Sequence, residues 1–105
     1  MMITHGGVTL NSRSMVFYND PGHGWLKIHK SVLDRLGIAD KISTYSYMRE
    51  DYAFLEEDCD VTLFRDTLIA KGFEKESVKN FMNAIEDRCT DKSSKIRNYE
   101  TYSTL

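Results

Sequence analysis

KISTYSYMREDYAFLEEDCD, residues Lys41 to Asp60, decides how the rest of the chain is read. From Lys41 to Met48, Ile42, Thr44, Ser46 and Met48 alternate with Ser43, Tyr45 and Tyr47. That period of two puts successive side chains on opposite faces of a pleated strand, and Tyr, Thr and Ile all favour strands. Arg49, Glu50 and Asp51 interrupt the pattern, and Tyr52 to Leu55 resumes an apolar run, so the stretch predicts a β-hairpin. No Asn-Gly or Gly-Gly sits in its turn, which leaves the turn type and register open. After Leu55 the chain becomes acidic through Glu56, Glu57 and Asp58, and Asp60 then stands as an N-cap for a following helix.

Outward from this hairpin, Asn19-Asp20-Pro21-Gly22 is the strongest turn signal, with Pro fixing one φ and Gly supplying a positive one. It joins a strand at Met15 to Tyr18 to another at Trp25 to His29. Ser31 is read as an N-cap with Asp34 three residues on, and Gly37 as the glycine that ends a short helix carrying Val32, Leu33 and Leu36. Beyond Asp60, Leu63, Phe64, Thr67 and Leu68 share a helical face that Gly72 closes. Val78, Phe81, Met82, Ile85 and Cys89 continue as the stripe of a second helix, Lys75 to Cys89. Ile96 to Tyr102 alternates and is read as a last strand.

The expected order is β-β-α-β-β-α-α-β, an α+β domain with an antiparallel sheet of four or five strands and two or three helices packed on one face. Residues 15–105 form that single domain, with Phe17, Leu26, Ile28, Ile42 and Leu55 in its core. Residues 1–14, broken by Gly6 and Gly7, are expected to be a loose arm or an edge strand near Val8 to Leu10.

Composition narrows the function classes. The chain has 105 residues, enough for one domain that buries roughly 65% of its unfolded surface. Its net charge of −2 argues against general nucleic-acid binding, which needs a basic excess. No apolar run approaches the ~20 residues that span a bilayer, and no apolar leader core opens the chain. Cys59 and Cys89 lack the Cys-x-x-Cys spacing of a zinc site, and in a reducing cytosol they stay thiols rather than pair. No metal or cofactor is therefore expected.

PGHGWL at Pro21 to Leu26, LGIADKISTYSY at Leu36 to Tyr47, AFLEEDCD at Ala53 to Asp60 and KIRNYETY at Lys95 to Tyr102 together resemble a family of small phage and prophage proteins. The resemblance implies a viral or mobile-element origin and a cytoplasmic setting in the host cell during infection. It supplies no catalytic residue.

Three sets of residues carry candidate chemistry. The acids Glu56, Glu57, Asp58 and Asp60 offer carboxylate oxygens to a cation, but they lack the alternating ligands and Gly of a calcium loop. Their plainer role is to favour the positive end of the next helix. Negative neighbours raise the pKa of Cys59, so it is not read as a nucleophile. The aromatics Trp25, Tyr45, Tyr47 and Tyr52 offer contact area with polar tips, either to a protein partner or to bases, or else pack as cross-strand pairs. Arg88, Lys92, Lys95 and Arg97 lie near Tyr99 and Tyr102 at the C-terminal end, with Arg97 a candidate ion-pair partner of the Glu56 to Asp58 cluster.

The reading these residues favour is a small accessory protein without a catalytic signature that binds a protein, such as a host or defence factor it inhibits. Trp25, Tyr45, Tyr47 and Tyr52 would supply affinity, and Glu56, Glu57 and Asp58 steering. The alternative is a small-ligand or nucleotide site, with hydrolysis within its reach, built from His23, Ser43, Tyr45, Glu56, Asp58 and Arg97. Its requirement is that these groups converge on one pocket. Nucleic-acid binding is the third reading.

Overall fold

The computed structural model describes residues 1–104. In chain order the elements are β1 (Met2–His5), β2 (Val8–Asn11), β3 (Val16–Asn19), β4 (Gly24–His29), α1 (Lys30–Leu36), β5 (Tyr47–Arg49), β6 (Tyr52–Glu56), α2 (Asp60–Ala70), α3 (Lys75–Asn83), β7 (Glu86–Cys89) and β8 (Glu100–Thr101). Short 3₁₀ turns at Ser12–Ser14, Ala39–Lys41 and Lys95–Asn98 join them. The α+β class expected from the sequence is present, but the main sheet has six strands, in the order β7-β3-β4-β6-β5-β8. It is not wholly antiparallel, because β7 pairs with β3 in parallel.

Two sheet faces differ in chemistry. Leu26 opposite Leu55 and Ile28 opposite Ala53 point to one face. There they join Leu33 and Leu36 of α1, Phe64 and Leu68 of α2, and Val78 and Phe81 of α3 in one buried cluster. Fully burying a side chain of this type stabilises by about 1.5–3 kcal/mol before entropy is counted, so this layer carries the fold. The other face holds Trp25, Phe54 and Ile96, with Tyr18, Tyr47, Tyr52 and Tyr99 packed around them. The 3₁₀ turn at Lys95–Asn98 covers part of it by inserting Ile96.

Several local expectations are corrected. Residues 41–46 are not strand: after the 3₁₀ turn at Ala39–Lys41 the chain loops, and regular pairing begins only at Tyr47. The cause is Asp60, whose buried carboxylate accepts from the Ser43 amide and hydroxyl and from the Ser46 hydroxyl. For the same reason Asp60 does not cap α2. Cys59 takes the cap position, and the Glu56 carboxylate accepts from the Asp58 and Cys59 amides. Likewise His29, not Ser31, caps α1, its ring Nδ1 accepting from the Ser31 amide.

The helix expected from Lys75 to Cys89 stops at Asn83, and Glu86–Cys89 forms β7. Every residue of β7 is exposed, so backbone pairing to the free edge of β3 makes this strand and no side-chain pattern announces it. Ile96 to Tyr102 begins in the 3₁₀ turn, which runs to Asn98, and only Glu100–Thr101 is strand. At the N-terminus, Gly6 and Gly7 do not merely break the chain. With φ of 55° and 80° they form a two-residue hairpin turn of the kind that suits the twist of β1 and β2, and Ile3 and Leu10 of this hairpin enter the core.

Candidate functional site

The turn from Asp20 to His23 builds one wall of the site. Its conformation does not come from a positive φ at Gly22. Asp20 Oδ1 accepts from the amides of Gly22 and His23, each at 2.9 Å. The same carboxylate accepts from the Ser94 amide through Oδ2 at 2.9 Å and from Arg97 through Nε and Nη2 at 2.7 and 2.8 Å. The side chain of Asp20 is wholly buried. The guanidinium and the converging amides hold its carboxyl far below the usual carboxylate range. Arg97 was expected to pair with the Glu56 to Asp58 cluster; it pairs with Asp20 instead.

With the turn and the C-terminal segment locked together, Arg97 lies over the Trp25 ring at 5.2 Å from its centroid. His23 and Tyr47 pack near the same indole, at centroid distances of 6.0 and 6.2 Å. Trp25 itself is buried, and its indole N–H is the buried side-chain donor left without a partner among the described residues.

The opposite wall comes from the end of β6. Trp25 and Glu56 are directly opposed across β4 and β6, so the carboxylate enters beside the indole. Glu56 Oε2 accepts from the Asp58 and Cys59 amides at 3.0 and 2.9 Å, while Oε1 faces His23 Nδ1 at 3.9 Å. That separation is too long for a direct hydrogen bond. Gly24, at the start of β4, leaves room on the other sheet face for Asn19, Phe17 and Glu57. A Cβ there would lie 2.6 Å from Asn19 Oδ1 and Phe17 Cε1 and 2.9 Å from Glu57 Oε2.

The third side is the loop that Asp60 anchors. Ser46 is fully buried; its hydroxyl donates to Asp60 Oδ2 at 2.5 Å and accepts from the Glu56 amide at 2.9 Å. Ser43 donates to the same carboxylate and accepts from the Tyr45 amide at 3.2 Å. Tyr45 is thereby held at the lip of the site with 70% of its surface exposed.

These elements enclose a cleft of about 450 Å³. Trp25, Tyr45 and Tyr47 give it aromatic sides; Glu56 and Asp58 give it acid; His23 and Arg97 complete the rim. Because Asp20 neutralises Arg97, the uncompensated charge in the cleft is negative. Thr44 and Cys59 also face it. Burial, then the nearby carboxylates of Glu56, Asp60 and Asp58, push the Cys59 thiol up, in the direction the sequence implied.

The cleft therefore gathers His23, Tyr45, Glu56, Asp58 and Arg97 of one candidate set, and Trp25, Tyr45, Tyr47, Glu56 and Asp58 of the other. Ser43 is not on it; it lies beneath, bonded to Asp60. Glu57, expected to help bind a partner, is not on it; its carboxylate lies beside Gly24 and Phe17, on the other side of the sheet from Trp25. Tyr52 lies at the far end of β6, paired across the strands with His29, and takes no part. Sequence reading missed Asp20, Ser46 and Asp60 as the groups that set the geometry. The one signal available for Asp20 was its place before Pro-Gly, where an Asx side chain bonds amides two and three residues on.

Among the described residues, no group of three or more His, Cys, Asp or Glu side chains is placed to hold a metal ion. No helix of the described residues is long and apolar enough to cross a membrane. Compared with protein-family models, with curated proteins and with solved structures, the chain matches none.

Proposed function

We propose that this protein is a small binding module whose cleft takes up an arginine or lysine side chain of a partner protein. The observation that carries this reading is the pairing of acid with aromatic walls: Glu56 and Asp58 stand among Trp25, Tyr45 and Tyr47, and the only guanidinium on the rim is already neutralised by Asp20. A cation entering there meets carboxylates and aromatic side chains together; the ring contact is worth about 0.5–1 kcal/mol at an exposed ring such as Tyr45 and about 2 kcal/mol or more once water is excluded. Tyr45, held out by its anchored loop, supplies the exposed contact area expected of a binding hot spot. The resemblance of Pro21–Leu26, Leu36–Tyr47 and Ala53–Asp60 to phage proteins supports a host or defence factor as the partner, inhibited by occupation of its basic surface.

The test is capture of partners on immobilised protein, with Tyr45→Ala and Asp58→Lys beside the wild type. Both residues are exposed, so both variants keep the fold. One host protein retained by the wild type and lost by each variant is the expected result. Retention by both folded variants overturns it.

A second reading is favoured by one observation, the convergence of His23, Tyr45, Glu56, Asp58 and Arg97 on a single cleft. There the occupant is a small planar molecule, a nucleobase included, with donors for the carboxylates and an acceptor for the indole N–H of Trp25. Such a ligand raises the melting temperature of the isolated protein, which a partner's side chain alone does not.

A further inference from the structure

On the same sheet face, past Trp25, lies a second recess of about 330 Å³ with the opposite chemistry. Its floor is Phe54 and Ile96, both buried. Tyr18 and Tyr99 flank that floor, at ring-centroid distances of 6.5 and 5.1 Å from Phe54. Lys27, Arg88, Ser94 and Lys95 line the recess, and no carboxylate lines it. The 3₁₀ turn at Lys95–Asn98 divides the two recesses, giving Lys95 and Ile96 to this one and Arg97 to the acidic cleft.

The cations here are differently committed. Arg88 is paired with Glu86 and lies over the Tyr18 ring at 5.9 Å. The Lys27 ammonium sits 4.3 Å from the centre of the Tyr52 ring. Among the described residues neither Lys27 nor Lys95 has a carboxylate within ion-pairing distance, so both charges are open to an anion. An aromatic floor with aromatic flanks and unneutralised ammonium groups matches a ligand that is flat and apolar at one end and anionic at the other.

We infer that the recess bounded by Tyr18, Lys27, Phe54, Lys95 and Tyr99 binds a nucleoside phosphate, either free or as one unit of a single strand. The base lies against the tyrosines and the phosphate meets Lys27 and Lys95. This is separate from the cleft reading and does not depend on it. The net charge of −2 is no obstacle, because it weakens only long-range attraction. It does limit the contacts to one or two phosphates, so the salt dependence is shallow by comparison with that of a basic nucleic-acid binder.

The experiment is amide-resolved NMR titration of the whole chain with thymidine monophosphate, thymidine, inorganic phosphate and a short oligothymidylate. Stacking on tyrosine tolerates any base, so thymine serves as the probe. Thymidine monophosphate is expected to move the amides of Tyr18, Lys95 and Tyr99 and to bind at least roughly tenfold more tightly than thymidine or inorganic phosphate, since stacking and charge act together. The exposed Lys95→Ala, combined with Lys27→Met to keep the packed stem, brings its affinity down to that of thymidine. Tyr45→Ala in the other cleft leaves it unchanged. Tighter binding of oligothymidylate identifies a strand as the source, and equal or weaker binding identifies a free nucleotide. Unmoved recess amides, shifts confined to the acidic cleft, or inorganic phosphate binding as well as the nucleotide would each overturn the inference.

Discussion

Asp20 and Arg97 are joined by two parallel hydrogen bonds across 77 residues of chain, and the acidic cleft forms where they meet. The buried carboxylate is charged because Arg97 and three amides hold it so. Asp20→Asn therefore lowers the melting temperature at pH 7, and Arg97→Lys lowers it less by keeping the charge but losing the fork. The folded-state pKa is depressed, so this stabilisation is present above the unfolded value of about 3.9 and fades as pH falls below it. Thermal melts at descending pH are expected to show wild type and Asp20→Asn converging below about pH 4 and well separated above it. A constant gap from pH 7 to pH 2 would contradict the assignment.

Asp60 is the second organising carboxylate. Asp60→Ala leaves the Ser43 amide and the buried Ser46 hydroxyl without their acceptor and is expected to cost about 1–3 kcal/mol in urea unfolding. Ser46→Ala removes one bond to Asp60 and one from the Glu56 amide and falls in the same range. Both variants should also loosen Tyr45, read as faster hydrogen exchange at the Tyr45 amide. Full stability in Asp60→Ala would mean that the loop holds itself.

The turn between β5 and β6 places Glu50 at a φ of 55°, where a side chain is strained. Glycine relieves that strain, at the cost of a more flexible unfolded chain. Glu50→Gly is expected to raise stability by up to about 1 kcal/mol, measured by the midpoint of chemical denaturation. Glu50→Ala, which keeps the Cβ, should give no such gain.

Cys59 is exposed yet sits among acids. Its alkylation by iodoacetamide at pH 8 is expected to be several-fold slower in the folded protein than in guanidinium, since the thiolate is the reacting form. Asp58→Asn should speed it in the folded state. Equal rates folded and unfolded would remove the electrostatic account.

What the sequence made legible follows from which forces act locally. Gly37, at a φ of 73°, ends α1 as expected, because a helix terminus is a property of a few adjacent residues. The apolar positions Leu26, Ile28 and Leu55 alternate because they face one continuous layer. Residues 41–46 misled for the opposite reason. Their alternation is real, but Asp60, far along the chain, bonds Ser43 and Ser46 and bends the backbone away from the sheet. β7 gave no signal because Glu86, Asp87, Arg88 and Cys89 bury nothing. At the site, the chemistry-bearing residues were visible by type, whereas the carboxylates that position them looked like ordinary turn and cap residues.

The sheet's two outer strands carry a further consequence. β7 presents Glu86, Asp87 and Arg88 to solvent, and β8 is two residues long. A charged strand and a very short one make poor templates for another chain's strand, so growth of the sheet by edge-to-edge addition is disfavoured at both ends. The aromatic face can thus stay open to recognition at high protein concentration without turning the molecule into a seed for its own aggregation.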